Sequence, residues 1–363
     1  MDPALFEENE RTSPVLSRKR FVEIGPISCE AGGYLPNVEV AYETWGRFTG
    51  DNAVLVCHAL SGDSHAVGWW DRLVGPGKAI DTERYFVIGQ NCLGGCQGTT
   101  GPSSDRGDGQ PYGSTFPIVT VRDMVEVQAR LLDALRVNRL RCVAGGSMGG
   151  MQALQWAVQY PQRVDKVFCT ASAPAHSAMQ IGFNEAARQA VMRDPKWRGG
   201  DYPLDDPPAD GLSVARMIGH LSFLSEQAFE VKFGRRLQSK DKLSYHLGVE
   251  YQIESYLNYQ GDKFTTRFDA NSLLLLSKAI DFYDLRSLEG ALAEFLFVSY
   301  TTDWLYPSHQ AARAHDMALV AGCRSQHSVI DLPYGHDAFL LDGEHQGALL
   351  RAFLERELGE RGK

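Results

Sequence analysis

Ser147 stands in Gly145-Gly146-Ser147-Met148-Gly149, directly after the apolar run Leu140-Arg141-Cys142-Val143-Ala144. Glycines two before and two after a serine remove the side chains that would collide in a sharp strand-to-helix turn, so the hydroxyl stands exposed at a helix N-terminus. There the next backbone N–H can face a developing oxyanion, and the helix dipole favours negative charge nearby. The chemistry this predicts is nucleophilic, provided that a base and an acid lie downstream. The plainer alternative is a glycine-rich turn that only caps a helix.

A base and an acid do follow. Glu294 to Tyr300 reads as a strand running into Thr301-Thr302-Asp303, so Asp303 is expected just past a strand's C-terminal end. Ser328 to Leu332 reads as another short strand, and Pro333-Tyr334-Gly335-His336 then puts His336 on a loop at the same edge. The chain order Ser, Asp, His is that of the α/β-hydrolase fold and differs from the chymotrypsin and subtilisin orders. The expected set is Ser147 as nucleophile, His336 as base, and Asp303 as the carboxylate that holds the imidazole tautomer. Asp331 reads as lying inside a strand and Asp337 adjoins the histidine itself, so neither is placed to reach the far imidazole nitrogen. His309 falls in a helix-like stretch and is read as a surface or packing residue. His58 and His65 have no third ligand at a recognisable spacing, so no metal is expected.

The elements that must position these residues alternate. Asn52 to Cys57, Tyr85 to Ile88 and Lys166 to Thr170 are short apolar runs bounded by turn residues, the pattern of buried parallel strands. Asp123 to Leu135 carries apolar residues at one-sided helical spacing, and Met151 to Tyr160 follows the serine turn before Pro161 stops it. Strands separated by helices imply a mostly parallel, doubly wound sheet whose ligands bind at the strands' carboxyl edge. From about 175 to 289 the rhythm breaks into helical patterns alone: Phe183 to Met192, Ser213 to Ser222, Glu226 to Phe233 and Val249 to Tyr259. Residues 1–174 and 290–363 are therefore expected to form the core, and 175–289 a helical lid over the site.

The composition bounds the partners. With 363 residues, 44% of them hydrophobic, the chain can bury one large core. The net charge of −9, with no basic run, argues against nucleic acid, whose phosphates need a clustered cationic face. Met1 to Glu8 has neither a basic nor an apolar leader pattern, and no apolar run approaches membrane-spanning length. The seven cysteines are odd in number and several, such as Cys57, Cys142 and Cys169, sit in apolar runs, which predicts free thiols in a reducing compartment, the cytoplasm.

One region exceeds what a simple hydrolase needs. His58-Ala59-Leu60-Ser61 follows the first clear strand, where α/β-hydrolases place the second oxyanion donor, so the backbone N–H groups of Leu60 and Met148 are the candidates. Beyond lie Gly68-Trp69-Trp70-Asp71, Gly75-Pro76-Gly77-Lys78 and the glycine-rich stretch from Asn91 to Ser104. So much glycine around polar residues predicts backbone that closely approaches a ligand, or else irregular loop.

At these residues the sequence resembles the homoserine O-acetyltransferase family of methionine biosynthesis. The resemblance is carried also by Arg122-Asp123-Met124-Val125, Gly145 to Gln155, Phe183 to Gln189, Ala215-Arg216-Met217-Ile218, Asp303-Trp304-Leu305 and Gly335 to Leu340. It implies a ping-pong reaction in which acetyl-CoA acylates Ser147 and L-homoserine takes the acetyl group, with no cofactor beyond the CoA thioester. It implies a homodimer packed through the lid helices. By position, Arg216 matches the arginine that grips the homoserine carboxylate and Asp337 the aspartate that holds its amino group. A planar guanidinium fork suits a carboxylate, and Asp337 sits beside the histidine where the acceptor must lie. Two departures stand out: Phe223 replaces a common tyrosine seven residues after Arg216, and the stretch between His65 and Trp69 is short. Succinyl-CoA as donor, serine as acceptor, plain esterase activity and a non-catalytic binding protein are the alternatives.

Overall fold

The computed structural model describes residues 18–239 and 242–357. The segment Met1 to Glu8 lies outside the described residues. Eight strands form one sheet: β1 (Arg20–Glu23), β2 (Glu39–Trp45), β3 (Ala53–Cys57), β4 (Phe86–Gln90), β5 (Cys142–Gly146), β6 (Lys166–Thr170), β7 (Glu294–Tyr300) and β8 (Ser325–Ile330). Their spatial order is β1-β2-β4-β3-β5-β6-β7-β8. β2 pairs antiparallel with β1 and β4, and the remaining neighbours are parallel. The sheet is thus α/β and mostly parallel, as expected, with an antiparallel edge that the sequence reading did not include.

The central strands β3, β5, β6 and β7 are buried along their whole length, which is why they read as continuous apolar runs. Successive side chains point to opposite faces. Leu55 and Phe297 join Leu154 and Trp156 on one side, while Val54, Phe168 and Val298 join Trp70 and Phe353 on the other. Each such buried side chain contributes about 1.5–3 kcal/mol, so the two clusters hold the sheet stiffly between helical layers.

Helices α1 (Val121–Ala134) and α2 (Met148–Gln159) precede β6, and five more lie between β6 and β7: α3 (Ala178–Met192), α4 (Ala209–Phe223), α5 (Glu226–Lys232), α6 (Gln252–Thr265) and α7 (Ala270–Phe282). α8 (Ser308–Val320) and α9 (His345–Glu355) follow. Side-chain caps set the starts of α1 and α3. Thr120 and Asp123 form a reciprocal capping box, so α1 begins before Asp123, and Ser177 with Gln180 starts α3 five residues ahead of the expected Phe183. β8 ends at Ile330, so Asp331 lies just past the strand and not inside it, and its carboxylate accepts from Thr301 Oγ1 at 2.6 Å. Among the described residues no helix is long and apolar enough to cross a membrane.

Candidate active site

All of the candidate site residues except Arg216 follow the carboxyl ends of sheet strands. β3 leads to His58 and Leu60, β5 to Ser147, β6 to His176, β7 to Asp303 and Tyr306, and β8 to His336. This is the edge at which open α/β sheets bind ligands.

Ser147 has φ 55° and ψ −125°, a strained conformation for a residue with a side chain, at the N-cap position of α2. The strain persists because the surroundings over-determine it. A Cβ on Gly145 would collide with the Gly149 backbone, one on Gly149 would lie 2.8 Å from the Cys57 carbonyl carbon, and one on Gly146 would strike Phe339. Ser147 N–H donates to Thr170 O (3.1 Å) and Ser172 Oγ donates to Ser147 O (2.7 Å), tying the turn to β6 on both sides.

His336 and Asp303 meet as expected. Their side chains are 5% and 0% exposed, and His336 Nδ1 lies 2.9 Å from Asp303 Oδ2. A carboxylate only accepts, so Nδ1 carries the proton and Nε2 is the nitrogen left for chemistry. Asp303 Oδ1 accepts the Tyr306 backbone N–H at 2.8 Å. Ser147, His336, Leu60 and Asp337 all line one pocket of about 140 Å³, small beside the ~300–1,000 Å³ of a drug-sized site. Phe183, Ala215, Phe223 and Leu273 of the helical segment line it too.

The Leu60 peptide is oriented by His58. His58 Nε2 accepts the Cys92 N–H at 2.9 Å, so its proton is on Nδ1, which donates to Ala59 O at 2.7 Å. In a trans peptide the N–H points away from the C=O, so turning the Ala59 carbonyl toward the imidazole turns the Leu60 N–H the other way. Burial pushes the His58 pKa down, which keeps the ring in the neutral form this pattern requires. His58 is therefore a building residue of the loop. His65 is likewise engaged, its Nδ1 2.9 Å from Glu43 Oε2. Among the described residues no group of three or more His, Cys, Asp or Glu side chains is placed to hold a metal.

Arg216, on α4, has Nη1 3.5 Å from Ser61 Oγ, and its guanidinium lies over the rings of Phe264 (4.7 Å) and Phe223 (5.6 Å). Phe223 in turn stands 6.3 Å from the His336 ring and lines the pocket. His309 is exposed at the start of α8.

The glycine-rich stretches do not line this pocket. Their close approaches are to protein: a Cβ on Gly101 would enter the Gly95 backbone, and one on Gly94 would lie 2.8 Å from Leu275. They brace the site from behind, Cys92 through His58 and Trp70 by an Nε1–H bond of 2.9 Å to Phe339 O. Tyr306 and His176, which also line the pocket, were missed. Tyr306 had the signal of lying three residues past Asp303; His176 had none beyond being one of ten histidines.

Residues 52–343 match the α/β-hydrolase fold family. A homoserine O-acetyltransferase of Methanococcoides burtonii is 46% identical over 95% of this chain and 75% of its own. A homoserine O-succinyltransferase of Stutzerimonas stutzeri is also 46% identical, over 91% of this chain and 93% of its own. Among solved structures, homoserine O-acetyltransferase from Bacillus anthracis superposes with a TM-score of 0.88 at 29% identity, covering 95% of this chain and 99% of that one. Esterase E22 gives a TM-score of 0.86 at 28% identity, covering 94% and 100%. With the fold, the strained serine turn and these similarities together, the chain belongs to the homoserine O-acetyltransferase family of α/β-hydrolase-fold proteins.

Proposed function

We propose that this protein carries an acetyl group from acetyl-CoA to the side-chain hydroxyl of L-homoserine in two half-reactions through an acyl-serine at Ser147. The observation that carries the reading is the buried 2.9 Å pair of His336 and Asp303 on the wall of the pocket that Ser147 also lines. As Ser147 Oγ attacks the thioester carbonyl, His336 Nε2 takes its proton and then gives it to the departing CoA thiolate. The negative oxygen of the tetrahedral intermediate is held by the N–H groups of Met148 and Leu60. In the second half-reaction His336 takes the proton of the homoserine hydroxyl, the oxygen attacks the acyl carbon, and the proton returns to Ser147 Oγ. Arg216 pairs the acceptor's carboxylate and Asp337 its ammonium. These steps need no metal or cofactor besides the CoA thioester.

Acetyl is favoured over succinyl by the charge in the pocket wall. Arg188 lines the pocket, but its guanidinium is matched by Asp281 at 2.7 Å and Glu185 at 3.0 Å, so a second substrate carboxylate would meet a compensated cation. The helical segment acts as a lid, since several of its side chains wall the pocket. Exposed Val214, Leu221 and Val231 on that segment support a homodimer packed through it, and seven free cysteines support a cytoplasmic location.

The likeness to esterase E22 makes hydrolysis of the acyl-serine the rival reading. An activated acetyl ester turned over with and without L-homoserine separates the two. Transfer predicts that homoserine raises turnover and appears as O-acetylhomoserine; fast hydrolysis indifferent to homoserine would sink it.

A further inference from the structure

Three buried polar side chains stand behind the serine turn, and none of them lines the pocket. Trp156, Gln128 and Gln152 are each 0% exposed. Gln152 and Trp156 follow Met148 at i+4 and i+8 on α2, so the three share one helix face, and Gln128 meets them from α1. The indole Nε1–H of Trp156 can only donate, and it does so to Gln128 Oε1 at 2.6 Å. Gln128 must then present Nε2, which donates to Gln152 Oε1 at 2.5 Å. Gln152 is left with its own Nε2, which donates to His58 O at 3.4 Å and Met148 O at 3.5 Å. One donor-only indole thus fixes the direction of both amides.

The two carbonyls at the end of this relay belong to the two segments that carry the oxyanion donors. Within each segment the donor peptide already has its orientation. Ala59 O, on the peptide of the Leu60 N–H, accepts from His58 Nδ1, and Ser147 O, on the peptide of the Met148 N–H, accepts from Ser172 Oγ. Neither bond sets how far apart the two N–H groups lie. Gln152 does, because its one amide holds the loop after β3 and the first turn of α2 together, beside the point where Gly149 packs against the Cys57 and His58 backbone. Two donors stabilise one oxygen only if both come within about 2.7–3.1 Å of it, so their spacing matters as much as their direction. Apolar side chains of the same volume would fill this space without desolvating two amides, but they could not grip two carbonyls.

We propose that Gln152 is a positioning residue for the oxyanion hole: it sets the spacing of the Leu60 and Met148 N–H groups, and Gln128 and Trp156 direct its amide. The inference rests on those two donors and on Ser147 being the nucleophile.

The test compares the wild type with Ser147→Ala, Gln152→Met and Gln152→Glu, each checked for folding by a thermal melt. Gln152→Met keeps the length and removes the donor. Gln152→Glu keeps the acceptor for Gln128, and its carboxyl, ionised or protonated, has at most one hydrogen for the two carbonyls. Two measurements report on the hole: the rate of acyl-enzyme formation from p-nitrophenyl acetate, followed as a burst, and the Kd of ethylboronic acid. In the boronate complex Ser147 Oγ bonds to boron as its proton passes to His336, leaving a tetrahedral anion whose oxygen needs the hole. In both Gln152 variants acylation is expected to slow about 10- to 100-fold and the boronate Kd to rise by a similar factor. KM for the ester and the pH of half-maximal acylation are expected to stay at their wild-type values, because the ester is uncharged and the His336–Asp303 pair is untouched. Wild-type acylation or wild-type boronate affinity in a folded variant would overturn the proposal, as would a slowed rate accompanied by a shifted KM or pH profile, the mark of a generally loosened site. If Gln152→Met does not fold, Gln152→Glu decides alone. A burst that persists in Ser147→Ala would instead remove the nucleophile on which the inference rests.

Discussion

The imidazole of His336 is bound to the carboxylate of Asp303, Nδ1 to Oδ2 at 2.9 Å, with the two side chains 5% and 0% exposed. Asp303→Asn keeps the volume but offers an amide that can donate to Nδ1, which selects the wrong tautomer. Acylation is expected to fall by about 10²–10⁴-fold with the fold intact. Stopped-flow acylation together with a thermal melt checks this; an undiminished rate in a folded variant would show that the pair does not serve the base.

The tightest spot in the serine turn is Gly149, whose added Cβ would lie 2.8 Å from the Cys57 carbonyl carbon. Since β3 is buried throughout and cannot retreat, Gly149→Ala is expected to cost about 1–3 kcal/mol and to displace Ser147. Urea unfolding measures the first effect and the acylation burst the second. A variant of wild-type stability would mean that the turn has slack.

The positions of Ser147, Asp303 and His336 at the sheet's edge were legible because each depends on local punctuation: glycines around Ser147, and strand ends before Asp303 and His336. The reason given for passing over Asp331 does not hold. The residue lies beyond β8, and Thr301 engages its carboxylate, a tertiary contact that no local pattern encodes. Helix α7 was not read because Leu273 to Leu276 is an unbroken leucine run that hides one-sided spacing. The antiparallel strands β1 and β2 were passed over as well, β1 being mostly exposed. His58 acts through groups brought in from residues 91–92, so its role arises only after folding.

Arg216 sits beside Ser61 and over Phe264, on the helical segment rather than the core. If it grips the acceptor carboxylate, Arg216→Ala is expected to raise KM for L-homoserine by roughly 10- to 100-fold while leaving the acylation half-reaction nearly unchanged. Steady-state kinetics alongside the ester burst separate the two, and an unaltered homoserine KM would count against the assignment.

His220, also on α4, is 4% exposed, and burial, aided by the nearby Arg216 and Lys232 charges, lowers its pKa to about 3. The unfolded chain binds this proton near its ordinary value of about 6.5 and the native chain does not, so stability from this residue is full above that pH and is lost as pH falls. The loss is about 1.4 kcal/mol per pH unit between roughly 6.5 and 3. Replacing His220 by Phe is expected to flatten the acid side of a stability-versus-pH curve from urea melts. Parallel curves for the variant and the wild type would show that His220 takes its proton without unfolding.

The proposed acyl-serine is open to direct observation. The protein is exposed to acetyl-CoA without acceptor, quenched in acid, digested, and the peptide containing Ser147 is weighed; a parallel sample receives succinyl-CoA. The account predicts one acetyl group on Ser147, absent in Ser147→Ala and discharged when L-homoserine is added before quenching. A succinyl adduct with no acetyl adduct would name a different donor, and acetyl-homoserine formed at full rate without any adduct on Ser147 would contradict the two-step mechanism.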